Sequence, residues 1–79
     1  MTKADARTDQ KAHVIERTDT TQPQWLSEKI GRDFGAGKYG GWAAALDGAT
    51  RYTVDEAEAI LVGPLAHLAP FCKIEEIAA

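Results

Sequence analysis

The residues of this chain best suited to chemistry lie in a glycine-rich stretch. Gly35-Ala36-Gly37-Lys38-Tyr39-Gly40 spells G-x-G-x-x-G. A dinucleotide fingerprint needs a strand before it and a helix after it, so that the helix N-terminus holds the pyrophosphate. Here a strand pattern follows, and the chain has no room for a full nucleotide-binding βαβαβ half. A phosphate-cradling loop fails as well. Arg32 stands where that spacing needs glycine, and Tyr39 follows Lys38 where a Ser or Thr must reach magnesium. Asp33-Phe34-Gly35 matches the kinase metal-binding triplet, but a kinase does not fit in 79 residues. His13, His67 and Cys72 have no zinc spacing and lack a fourth ligand. The same cysteine and two distant histidines form no nucleophile–base pair. Carboxylates are plentiful, but a catalytic pair needs a cleft that drives their pKa values apart, and a domain this small offers little of one. The expectation is a protein that is not an enzyme and uses no cofactor or metal. What remains in the glycine stretch is a loop with Arg32, Lys38 and Tyr39, either facing solvent or making contacts.

The elements that must position these residues are organised around Gly40–Pro64. Thr53-Val54-Asp55-Glu56 is a capping box. Asp55, Glu56 and Glu58 sit in the first turns, where the helix dipole favours acids. Ala57, Ile60 and Leu61 recur at helical spacing, and Gly63-Pro64 is a stop. Pro64 could open a further turn over Leu65–Leu68. Tyr52, just before the cap, is placed to pack as a staple. Trp42–Leu46 reads as a central strand closed by the Asp47-Gly48 turn. Lys11–Thr18, with the β-branched pair Val14-Ile15, reads as a first strand, with His13 and Ile15 on one side and Val14 and Glu16 on the other. Phe71–Ile77 reads as a last strand, at an edge or half-buried, with an imperfect period of two. Gln24–Gly31 suits one or two helical turns capped by Thr21 or Gln22, or a short strand at Trp25-Leu26. Five glycines between Gly31 and Gly41 make a loop. The expected fold class is α+β: a three-stranded antiparallel sheet, one main helix over residues 53–62 and short additional helices.

Residues 1–10 are polar and aperiodic and read as a flexible lead-in to a single domain over 11–79. Such a small core leaves little stability to spare, which a homodimer would relieve. No apolar run approaches a membrane span and no hydrophobic leader opens the chain, so a cytoplasmic protein is expected. The lone Cys72 forms no internal disulfide; it is a buried small side chain, an idle thiol or an intermolecular bridge. Charge is uneven. Residues 1–40 carry seven basic and six acidic side chains, and residues 41–79 two basic and six acidic, within a net charge of −3. An acidic half opposes phosphate and favours a basic partner surface, although acids on a solvated helix turn and strand face explain it equally.

The order of features also resembles a set of small proteins encoded by phages and prophages. The pattern is a V-I-E-R-T-D strand (Val14–Asp19), a P-x-W-L segment (Pro23–Leu26), a glycine loop, a G-W strand (Gly40–Leu46) and A-x-R-Y-T-x-x-E-A opening a helix (Ala49–Ala57). Within that class the chain is similar to anti-CRISPR proteins that inhibit type I, particularly type I-C, effector complexes. The resemblance implies direct binding to the Cascade surveillance complex, blockage of target DNA and no catalytic residues. On this reading Asp47, Asp55, Glu56, Glu58, Glu75 and Glu76 occupy a basic, DNA-accepting groove, without direct contact to nucleic acid or membrane. The modest net charge of −3 departs from strongly acidic DNA mimics. Two rivals remain: a regulatory module touching nucleic acid through Lys29, Arg32 and Lys38, and a small-molecule sponge or minimal enzyme built on the glycine loop.

Overall fold

A computed structural model describes residues 11–77; the lead-in expected over residues 1–10 lies outside the described residues. The chain forms an antiparallel sheet of four strands in the order β3-β2-β1-β4. Strand β1 (His13–Arg17) lies between β2 (Gln24–Leu26) and β4 (Cys72–Glu76), and β3 (Trp42–Ala43) lies outside β2. Helix α1 (Glu28–Asp33) follows β2 and helix α2 (Val54–Val62) follows β3. Single 3-10 turns occupy Leu46–Gly48 and Ala69–Phe71.

Register sorts the side chains. Ile15 pairs with Ile74, Arg17 with Cys72 and with Gln24, and Leu26 with Trp42. Strand alternation therefore puts Ile15, Leu26, Trp42, Cys72 and Ile74 on one face, and this face meets α2. The core is Ile15, Leu26, Tyr52, Ala57, Ile60 and Leu65, with Tyr39, Trp42, Leu61, Leu68, Cys72 and Ile74 packed around it. Burying each large aliphatic side chain stabilises the fold by about 1.5–3 kcal/mol. The opposite face carries Val14, Glu16, Trp25, Ala43, Lys73 and Glu75.

Helix α2 starts and ends on local instructions. The Glu56 amide donates to Thr53 Oγ1 at 3.1 Å, and the Thr53 amide donates to Glu56 Oε1 at 2.9 Å. Tyr52 and Ala57, which flank this box at the staple positions, are both buried in the core. Gly63 ends the helix without entering the left-handed region. Its N–H and that of Leu65 both reach the Ile60 carbonyl. Residues 65–68 continue as hydrogen-bonded turns, not as the helical turn expected after Pro64.

The sheet has four strands where the sequence suggested three. Trp25-Leu26 is drawn into the sheet because it can pair with both Glu16-Arg17 and Trp42-Ala43. The helix then begins later, with Ser27 as cap accepting from the Ile30 N–H at 3.3 Å, and not with Thr21 or Gln22. The strand expected at the centre is an edge of two residues. Ala44 and Ala45 add no β-branched bulk, and the chain turns away into Leu46–Gly48.

Candidate functional site

The glycine-rich loop is held tightly against α1. A methyl group on Gly31 would lie 2.1 Å from the Gly37 carbonyl oxygen, and the Ala36 N–H donates to the Gly31 carbonyl at 2.7 Å. Gly37 takes a φ of 91°, open to glycine at no steric cost. These constraints place Lys38 and Tyr39 over a cleft of about 610 Å³ between the loop and α2. Its walls include Lys11, Glu28, Arg51, Tyr52 and Ile60. The Tyr52 hydroxyl donates to Glu28 Oε2 at 2.7 Å, and the Glu28 amide donates to Thr50 Oγ1 at 2.8 Å. Burial, and then the hydrogen bond to Glu28, push the Tyr52 phenol far above its ordinary value. Tyr52 thus keeps its proton and acts as a fixed hydrogen-bond donor to Glu28.

The cations around the cleft differ in commitment. Lys11 is held by Glu56 at 2.7 Å. Lys38 lies 5.4 Å from the Tyr39 ring centre. Arg51 and Arg32 are exposed and form no ion pair with the described residues, whereas Lys29 is bound by Asp33 at 2.9 Å. Of the three nucleic-acid candidates, Arg32 and Lys38 therefore reach the loop surface uncommitted to a carboxylate, and Lys29 does not. The cleft wall thus mixes the cations Lys11, Lys38 and Arg51 with the carboxylates Glu28 and Glu56.

A second cluster lies across the sheet. Lys73 Nζ is 3.7 Å from Glu16 and 3.6 Å from Glu75, and the Trp25 indole N–H points at Glu75 Oε1 at 3.5 Å. Glu16 and Glu75 perturb each other in opposite directions. The hydrogen bond to Glu75, then burial, raise Glu16; the bond received from Glu16 is the main reason Glu75 is lowered. Sequence reading did not single out Glu16, Trp25, Glu28, Arg51 or the Tyr52 hydroxyl as site groups. The one legible hint was alternation along β1, which sets Glu16 on the side of Val14. Its partners lie far along the chain.

The six expected acids do not form one patch. Asp47 sits on the Leu46–Gly48 turn, Asp55, Glu56 and Glu58 on the first turns of α2, and Glu75 and Glu76 on β4. Helix α2 covers the Ile74 side of the sheet, while Glu75 lies on the other side. Glu56 is engaged by Lys11 and the cap, which together lower its pKa. Asp47, Asp55 and Glu58 are exposed and form no ion pair with the described residues. Cys72 is half-buried against the core, and burial pushes its thiol up. No group of three His, Cys, Asp or Glu residues that could hold a metal occurs among the described residues. No helix among them is long and apolar enough to cross a membrane.

The chain matches no protein-family model, and neither the curated proteins nor the solved structures contain a match to it.

Proposed function

We propose that this chain is a non-catalytic binding protein of the anti-CRISPR kind, which sits on the DNA-accepting groove of a type I Cascade complex in the host cytoplasm. The observation that carries the reading is the exposed side of α2. Asp55 and Glu58 stand one turn apart there, with no counter-charge among the described residues. Carboxylates without an internal partner lose no existing ion pair when they meet a basic surface. Glu56 and Glu75 must first give up their own cations, so they contribute less. Each exposed pair is worth about 0–1 kcal/mol, so the acids act together and set orientation and encounter rate.

The test is target-DNA binding by a purified type I complex with and without the protein. Wild-type protein is expected to block DNA, less well at high salt. Asp55→Lys with Glu58→Lys should keep the fold and lose the block. Undiminished inhibition by that double variant, or inhibition indifferent to salt, rules the reading out.

The cleft favours a second reading, a module that binds a short single-stranded nucleic acid or a nucleotide. Tyr39 offers a stacking face, and Lys38 and Arg51 offer charge beside it. A gel shift and calorimetry with Tyr39→Ala and Arg51→Glu variants decide it. Binding by wild type that both substitutions abolish selects the cleft; no shift and no heat remove it.

A further inference from the structure

Strand β4 ends the sheet on one side. The Thr18 N–H donates to the Phe71 carbonyl at 2.7 Å, and the Ile77 N–H donates to the Ala12 carbonyl at 2.8 Å. In an antiparallel ladder alternate residues turn their peptide groups to the same neighbour. Phe71, Lys73, Glu75 and Ile77 therefore face β1 with their backbones, and Ile74 directs both its peptide groups to the outer edge; at Cys72 only the carbonyl is open there, because its N–H is held by the Ala69 carbonyl. An edge of this kind is a template for another strand unless its side chains prevent it.

The side chains of Phe71-Cys72-Lys73-Ile74-Glu75-Glu76-Ile77 read as a self-complementary pattern about Ile74. We propose that β4 pairs antiparallel with β4 of a second copy, with Ile74 opposite Ile74, to form a two-fold dimer with one continuous sheet. In that register Lys73 faces Glu75 of the second copy, and Glu75 faces its Lys73. Phe71, which is 47% exposed, faces Ile77. Ile74 exchanges both peptide hydrogen bonds with its counterpart. The charged residues fall at the closely spaced positions between hydrogen-bonded pairs, where side chains approach best.

Neighbouring registers are worse. A shift of two residues sets Lys73 against Lys73 or Glu75 against Glu75, and like charges directly opposite destabilise a pair. A shift of one residue turns the wrong peptide groups and faces toward each other. The proposed register also places Cys72 opposite Glu76 of the second copy. The two Cys72 residues are then about 14 Å apart along the strands, beyond the ~7 Å limit for a disulfide. The dimer is a backbone and charge interface, not a bridged one. It stands independently of what α2 or the cleft binds.

Sedimentation of the full chain over a concentration series tests it, with circular dichroism to confirm folding. Wild type is expected to dimerise. Lys73→Glu and Glu75→Lys should each weaken the dimer about tenfold or more, because symmetry sets two like-charge pairs in each. Mixing the two variants should restore association, since one chain then presents two acids to the other's two bases. Independently, Ile74→Cys in a Cys72→Ser background should crosslink on mild oxidation, and wild-type Cys72 should not. A wild type that stays monomeric overturns the proposal. So does a dimer indifferent to both charge changes, a mixture of folded variants that does not associate, or crosslinking through Cys72 in place of residue 74.

Discussion

The two walls of the cleft are built by opposite means. Helix α2 is specified within its own stretch: Thr53 and Glu56 bond each other across three residues, and Ala57 and Ile60 recur at the helical period. The 31–41 loop is specified by approach. Its backbone passes so close to α1 that a side-chain carbon at Gly31 or Gly41 would lie 2.1 Å from a backbone atom of the other segment. A helix of the first kind loses stability in small steps. A loop of the second kind has no intermediate state to fall back on, because the obstructing atoms are backbone and cannot rotate away.

Substitutions test this contrast. The largest effect is expected from Gly31→Ala, which forces the loop off α1 and should cost more than about 3 kcal/mol. Urea denaturation measures the loss, and the Tyr39 ring resonances should move with it. If Gly31→Ala is tolerated within experimental error, the loop is not held by approach. Tyr52→Phe comes next, since it leaves the Glu28 carboxylate without the donor that ties the residues before α2 to α1. A bond to a charged group is worth about 1.5–3 kcal/mol, and denaturation should show a loss in that range. Thr53→Ala, confined to the helix cap, should cost about 1 kcal/mol and leave the loop resonances in place. A shift at Tyr39 as large as that from Gly31→Ala would mean the two walls are one cooperative unit.

The smallest effect is one of pH. Lys11 and the Thr53 N–H hold Glu56 below the ordinary glutamate value of 4.5. The folded state therefore binds fewer protons than the unfolded chain in this region. The contribution of Glu56 is present above 4.5 and is lost as pH falls through its depressed value. Hydrogen exchange at the Thr53 amide should gain a pH dependence there that Glu56→Gln removes. The Ala36 amide, bonded to the Gly31 carbonyl, should not follow it. Equal acid sensitivity at both amides would erase the distinction.

Legibility follows the same division. The capping box, the staple at Tyr52, the β-branched Val14-Ile15 strand and the closing strand at residues 71–77 could be read because each is local. Strand β2 was an open alternative. Its three residues carry no decisive pattern alone, and its partners in β1 and β3 settle it. The loop could be recognised as a loop, but its rigidity could not, because the close approach joins residues whose contact depends on the path of the whole segment. The candidate acids were legible as a list of types and not as a surface. Glu56 and Glu75 turn out to be engaged by Lys11 and Lys73, and Asp55 and Glu58 are left open.

Hydrogen bonds and side-chain periods within a few residues already settle where α2 begins and ends and which residues of β1 share a face, and the residue types alone set an uneven charge with the bases toward the N-terminal half. Strand order, the meeting of Glu16 and Glu75 around Lys73, and the company each charged side chain keeps come from the assembled fold. Those depend on register between segments up to some sixty positions apart, as with Glu16 and Glu75. Register is chosen by the collective fit of Ile15, Leu26, Ile74 and the underside of α2, which no single stretch encodes.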